Sequence, residues 1–240
     1  VVSGPVLDVR RLVFRWGPAL APCLDIEAMR VEAGEQVFLH GPSGSGKSTL
    51  LGLLGGVLRP SGGEVLALGQ ALSALSGAQR DRFRVDHVGF VFQQFNLVPY
   101  LDVLDNVLLP CRFSAQRTAR ALASSDGDLH DEARRLLEAL DLPRALLHRP
   151  ATQLSVGQQQ RVAAARALIG RPPLVIADEP TSALDAPTQA RFLELLQREC
   201  AAVQATLVFV SHDRRLAGRF TREIALASLN RAAALAEVLQ

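Results

Sequence analysis

Residues 36–49 read QVFLH and then GPSGSGKST, with the apolar run LLGLLGGVL (50–58) close behind. A short β-branched and aromatic run, a glycine-rich bend and a leucine-rich stretch predict strand, loop and helix in that order. The bend has the spacing GxxxxGK[ST], and the strand-to-helix context is what gives that spacing meaning. Gly41, Gly44 and Gly46 permit torsions that turn successive amide N–H groups inward at the positive end of a helix. Lys47 is placed to reach the outer phosphates of a nucleotide, and Ser48 to offer its hydroxyl to Mg2+. Pro42, Ser43, Ser45 and Thr49 complete the loop. A turn that binds nothing has no use for the Lys-Ser pair. This stretch makes the chain an α/β protein built on a phosphate loop.

Composition narrows the partners. The chain has 240 residues, of which 48% are hydrophobic, enough to bury a substantial core as one large domain or two packed lobes. Twenty-six Lys and Arg against 24 Asp and Glu leave a net charge of +2, too little to imply nucleic-acid binding by charge. Cys23, Cys111 and Cys200 are odd in number and widely spaced, which argues against a disulfide framework or a zinc site and for a reducing, cytoplasmic setting. No apolar run approaches the roughly 18–20 residues that span a bilayer, and VVSGPVLDVR (1–10) lacks the order of a signal peptide.

Two textures alternate along the chain. VLDVRRLVF (6–14), QVFLH (36–40), HVGFVF (87–92), PLVIAD (173–178) and TLVFVS (206–211) read as strands, several with almost no polar alternation, as in strands covered on both faces. Between Tyr100 and Gly170 the texture turns helical, as in DEARRLLEALDL (131–142), which predicts a helical subdomain inserted into an α/β core. Segment 112–130, RFSAQRTARALASSDGDLH, is polar and carries a Ser-Ser-Asp-Gly-Asp cluster, so it reads as an exposed linker between helices, the alternative being that Arg112, Arg117 and Arg120 meet acidic partners.

The strand PLVIA ends in Asp178 and Glu179. An acid at the C-terminal end of a strand next to the phosphate-loop strand lies in the crevice where open α/β sheets bind ligands. Asp178 there holds Mg2+, and Glu179 polarises an attacking water, a pairing that favours hydrolysis.

Five stretches in fixed order, GPSGSGKST, VFQQFNL, LSVGQQQR, LVIADEPTSALD and VFVSHD, resemble the nucleotide-binding ATPase subunits of ABC transporters over nearly the whole chain. The resemblance implies a P-loop NTPase core with an antiparallel β subdomain and an inserted α-helical subdomain. Within a single domain, 1–240, it assigns 1–99 and 171–240 to the core with its β subdomain and 100–170 to the helical subdomain. It implies ATP and Mg2+ as cofactors and a second ATPase subunit as partner. Gln93 becomes the glutamine that contacts Mg2+ and the attacking water. Ser155, Gly157 and Gln158 belong to the signature that completes the opposite subunit's ATP site. Asp185 runs along the dimer interface, and His212 contacts the γ-phosphate. By itself Gln93 or His212 would read as a satisfied polar residue at a strand end. Trp16 fits the spacing of the aromatic residue that stacks on adenine, with Phe14 as competitor.

Within LSVGQQQR (154–161), Ser155 and Gln158 form an S-x-x-Q capping box, so Val156 takes the first helical position where the family has glycine. Two functional classes remain open. One is the energy-supplying subunit of a transporter, peripheral on the cytoplasmic face of the inner membrane through a separate integral-membrane permease. The other is a soluble ABC ATPase acting on nucleic acid or ribosomes. One phosphate loop, one signature, and no heptad run or zinc cysteines favour the first, with no direct nucleic-acid contact. GFVFQQFNLVPYLDVLDNVLLP resembles the ATPases that pair with lipoprotein-releasing and macrolide-exporting permeases. The run Phe95, Leu97, Val98, Tyr100, Leu101 then lines a groove for the permease or packs within the helical subdomain.

Overall fold

A computed structural model describes residues 4–232. In chain order these form β1 (Leu7–Phe14), β2 (Leu24–Val31), β3 (Gln36–His40), α1 (Lys47–Leu54), β4 (Gly62–Ala67), β5 (Gln70–Ala71), α2 (Gly77–His87) and β6 (Val88–Val91). There follow α3 (Val103–Phe113), α4 (Ala115–Leu122), α5 (Leu129–Ala139), α6 (Val156–Leu168), β7 (Leu174–Asp178), α7 (Ala186–Ala202), β8 (Thr206–Val210), β9 (Arg222–Ala225) and α8 (Leu226–Leu229). The chain divides into two compact units, one made of the residues up to Arg84 and from Val208, the other of Val85–Leu207.

The first unit contains an antiparallel sheet in the order β2-β1-β4-β5. Its register runs from Leu7 opposite Val31 to Phe14 opposite Leu24. The apolar phase of β1 slips by one residue, since Leu7 and Val9 are buried and then Leu12 and Phe14. A β-bulge absorbs that slip, because an extra residue restores both pairs to one face. The register with β4 indeed shifts between Arg10 and Val13, and Arg11 sits at φ 46. Gly63 lies against this bulge, where a Cβ would stand 2.0 Å from the Arg11 carbonyl oxygen. The same unit holds β3 between β8 and β9, with β3 and β9 parallel. There Phe38 packs on Phe209 and Phe220 at ring-centroid distances of 6.5 and 5.3 Å.

In the second unit β6 and β7 run parallel, Val88 beside Leu174 and Val91 beside Ala177, and the other neighbour of β7 is β8. The sequence predicts the acidic strand beside the phosphate-loop strand, and this is corrected: the neighbours of β3 are β8 and β9. Both β7 and β8 are almost wholly buried, whereas β9 is partly exposed, so apolar texture marks the first two as interior strands without ordering them.

The predicted linker 112–130 is corrected for its first part only, since the Ser-Ser-Asp-Gly-Asp cluster at 124–128 does form the turn between two helices. Residues Ala115–Leu122 form α4, capped by Ser114, whose side chain accepts from the Arg117 amide. Arg117 is 2% exposed. Its guanidinium donates to the carbonyls of Val85 (2.7 Å), Val88 (2.6 Å), Ala167 (3.2 Å) and Ile169 (2.9 Å). Two of these belong to the end of α6, where helical carbonyls lack partners of their own. Arg120 is half-buried and donates to Gly170 and Asp86 carbonyls. Only Arg112 is exposed as expected, paired with Asp105.

Candidate functional site

In the first unit, the chain leaves β3 and turns through Gly44 (φ 78) and Gly46 (φ 96) into α1. Gly46 is the N-cap residue in the left-handed region, a conformation that only glycine takes at little cost. Gly41 acts differently from its expected torsional role. Its φ is not in the left-handed region, and a Cβ on it would stand 2.9 Å from the Ser45 hydroxyl oxygen, so its contribution is room. Helix α1 has no side-chain cap and no acid in its first turn, so no carboxylate of its own offsets the positive helix end. The Ser45 hydroxyl is buried without a hydrogen-bond partner. Lys47 is 8% exposed and donates to the carbonyls of Gly41 (2.9 Å) and Pro42 (3.0 Å), which holds the ammonium over the loop. Pro42, Ser43 and Ser48 are exposed and Thr49 half-buried.

This uncapped helix end, with an orphaned hydroxyl and an ammonium beside it, is suited to a polyphosphate. Trp16 is 62% exposed and meets the buried Phe14 edge-on at 5.0 Å. The competitor Phe14 thus belongs to the core, and the indole lies on the surface. His212 is exposed in the turn after β8.

In the second unit, Asp178 ends β7, and Glu179 follows at φ 44, both half-buried. A left-handed non-glycine residue costs about 1–2 kcal/mol, so its surroundings must hold it. The Glu179 carbonyl accepts from the Ser182 amide at 3.3 Å. The next carbonyl, Pro180, accepts from the Gln160 side chain at 2.8 Å, and Gln189 donates to Thr181 at 2.9 Å. Asp185 is the N-cap of α7 and accepts from Thr188. The hydrogen bonds from Thr188 keep its carboxyl below the usual range.

Gln93 is exposed in a turn closed by the Phe95 amide on the Phe92 carbonyl, 3.0 Å. Past it, the run read as a groove or as internal packing divides: Phe95 is 7% and Tyr100 83% exposed, with Leu97, Val98 and Leu101 half-buried.

Helix α6 opens with the capping box, Gln158 amide to Ser155 hydroxyl at 3.4 Å and Ser155 amide to Gln158 side chain at 2.9 Å. Val156 occupies the first helical position and is 48% exposed. A Cβ on Gly157 would meet nothing closer than Leu184 at 3.8 Å, so the fold of this chain does not require glycine there. Replacing Val156 by glycine is expected to leave folding intact, since the helix-propensity change at an end is a few tenths of a kcal/mol. Relief of about 1 kcal/mol of crowding would raise ATP turnover roughly fivefold. A steady-state phosphate-release assay decides, and loss of turnover would reverse this reading of position 156.

Sequence reasoning missed Gln160, Arg166 and Asn106. Gln160 is 1% and Asn106 0% exposed. The available signal was an amide on an apolar face: Gln160 precedes buried Ala163, Ala164 and Ala167 at helical spacing.

Comparison with known proteins agrees with the geometry. The family model described as ABC transporter matches residues 24–182. The lipoprotein-releasing system ATP-binding protein LolD of Xanthomonas oryzae pv. oryzae is 41% identical over 210 residues, 88% of this chain and 82% of that protein. The macrolide export ATP-binding/permease protein MacB of Rhodopirellula baltica is 40% identical over 211 residues, 88% of this chain. The chain spans only 30% of the length of that relative. A solved structure of the ATP-binding cassette MJ0796, a post-hydrolysis dimer bound to ADP and Pi, superposes with a TM-score of 0.78. It is 35% identical, over 94% of this chain and 95% of that one. The cassette fold read from the five motifs is thus the fold found.

Proposed function

The chain belongs to the ABC transporter family of ATP-binding, ATP-hydrolysing cassettes, and we propose that two copies sandwich two Mg-ATP and drive a separate integral-membrane permease of the lipoprotein-releasing or macrolide-exporting kind. The observation that carries this reading is the contrast between two helix starts. Helix α1 begins uncapped beside Lys47, with the Ser45 hydroxyl unpartnered. Helix α6 caps itself through Ser155 and Gln158, and at Gly157 it leaves room in which a Cβ would meet nothing closer than Leu184 at 3.8 Å. The first suits the chain's own nucleotide. The second is a finished surface suited to a partner's nucleotide.

In this reading the amides of Gly41–Thr49 and Lys47 hold the phosphates, and Trp16 stacks on adenine. The side-chain oxygens of Ser48, Gln93 and Asp178 are the hard donors that Mg2+ prefers. Mg2+ held there would supply neutralisation of the phosphate charge. Glu179 accepts the proton of the attacking water, Gln93 orients that water, and His212 donates to the γ-phosphate. Ser155, Gly157, Gln158 and Asp185 face the second subunit. Loss of the γ-phosphate removes the acceptor that donors from both copies share, and the pair opens.

The helical stretch 100–170 is the part that meets the permease, with exposed Tyr100 as its apolar contact. No helix among the described residues is long and apolar enough to cross a membrane. In this reading the chain sits at the cytoplasmic face of the inner membrane through that permease. The test is affinity purification of the chain from detergent-solubilised membranes of its source cells. A multi-span permease at equal stoichiometry is the expected companion, and recovery with ribosomes or DNA instead would favour the non-transport class.

A further inference from the structure

Helix α6 carries Ser155 and Gly157 at its start, and along its length it holds the backbone of two other catalytic stretches. Gln160 donates to the Pro180 carbonyl, directly after Glu179, at 2.8 Å. Near the other end, Arg166 donates to the Asn96 carbonyl at 2.7 Å and to the Phe95 carbonyl. Those two carbonyls belong to an unusual piece of backbone. Phe95 and Asn96 lie consecutively at φ 58 and 48, a conformation that costs a residue such as Phe95 about 1–2 kcal/mol. The Asn96 amide folds back on the Gln94 carbonyl at 2.6 Å, and the turn immediately before it is the one that carries Gln93.

The far side of this segment is tied down separately by the buried Asn106. Its side chain accepts from the Val98 amide at 2.8 Å and donates to the carbonyls of Val98, Leu101 and Asp102 at 3.0, 3.2 and 3.0 Å. Between the Asn106 anchor and β6, the polar side chain that fixes the left-handed pair is Arg166.

Arg166 is a costly choice for a purely structural tie. Burial lowers its pKa, with no carboxylate acting against that shift, and its hydrogen-bond partners are neutral carbonyls. Its planar fork is, however, suited to two adjacent acceptors at once, which a lysine ammonium is not. A 13-residue helix is a rigid rod of about 20 Å, so a shift at its capped start is carried to its far end.

We propose that Arg166 is a positioning residue that registers the Gln93 turn on the helix presenting Ser155 and Gly157, so that Gln93 reaches its water-orienting place only when the partner subunit has seated that helix. This rests on the assignment of Gln93 under Proposed function. Arg166 touches neither nucleotide nor water in this scheme. It acts through the Phe95 and Asn96 carbonyls.

The experiment compares Arg166→Gln, Arg166→Lys, Gln93→Ala and the Arg166→Gln/Gln93→Ala double variant in the full chain. Arg166→Gln is expected to lower kcat roughly ten- to hundredfold, the scale of an ångström of misplacement, with the affinity for a fluorescent ATP analogue unchanged. Arg166→Lys restores only part of the rate. The double variant turns over no more slowly than Gln93→Ala, because both changes remove one contribution. Independently of activity, hydrogen exchange in the nucleotide-free Arg166→Gln protein speeds up over residues 93–98 while the amides of α6 keep their protection. Multiplicative losses in the double variant, or loss of protection throughout α6, would overturn the proposal and leave Arg166 a general stabiliser. Wild-type turnover in Gln93→Ala would remove the assignment of Gln93 and the clamp with it.

Discussion

Exchanging Glu179 for glutamine is expected to leave ATP binding in place and to remove at least about 100-fold of the turnover, the scale on which a positioned general base acts. The substitution isolates chemistry from structure. Glutamine keeps the length and shape of the side chain, and the backbone of position 179 at φ 44 is held by main-chain hydrogen bonds from Ser182 and through Pro180 by Gln160. None of these uses the carboxylate. These ties of the backbone at positions 179 and 180 survive the substitution.

What changes is that an amide oxygen cannot take a proton from water. With hydrolysis blocked and the γ-phosphate retained, two copies should accumulate as a dimer in the presence of Mg-ATP. Size-exclusion chromatography with and without ATP, beside single-turnover phosphate release, reads both outcomes. A variant that hydrolyses at the wild-type rate would move the base elsewhere. A variant that loses turnover without forming the ATP-dependent dimer would count against the two-copy sandwich.

The parts of the molecule that were legible from sequence are those specified by neighbours along the chain. A phosphate loop is a strand, a bend and a helix start within 15 residues, and each of its glycines and its Lys-Ser pair has a local reason. The capping box at Ser155 was equally readable, because Ser155 and Gln158 satisfy one another's backbone within a single turn. The bulge in β1 was not read from VLDVRRLVF, although the apolar phase slips there; the register with β4 reveals it.

Strand order was not legible. Placing Asp178 at the end of a strand needs only PLVIAD, but LVIAD and TLVFV are both interior strands of the same apolar texture, and nothing local says which of them lies beside β3. The segment 112–130 misled for a related reason. Its Ser, Arg and Gln residues are those of a loop, yet Ser114 is a helix cap and no glycine or proline occurs from there to Ser125. Arginine on the buried face of a helix is explained only by carbonyls that lie 29 to 52 residues away.

Replacing Arg117 by methionine is expected to cost the fold about 3 kcal/mol, on the scale of 1–3 kcal/mol for each buried polar group left unsatisfied, reduced where water enters. Burial already pulls the Arg117 guanidinium down to about 10, so the native state bears a desolvation cost that methionine would relieve. Relief does not win here, because exchanging a buried charge for an apolar group is neutral or favourable only when its partners are exchanged as well. The partners of Arg117 are the main-chain carbonyls of Val85, Val88, Ala167 and Ile169, which no side-chain substitution removes. Lysine keeps the charge but offers three donors from one point in place of a planar fork, so Arg117→Lys should fall between methionine and wild type. At ~2–4 °C per kcal/mol for a chain of this size, the methionine variant melts about 6–12 °C lower. Calorimetry of the full chain separates the two descriptions of this segment. An exposed linker arginine would change stability by less than about 0.5 kcal/mol, whereas a buried tie between α4 and the end of α6 gives the large, graded loss.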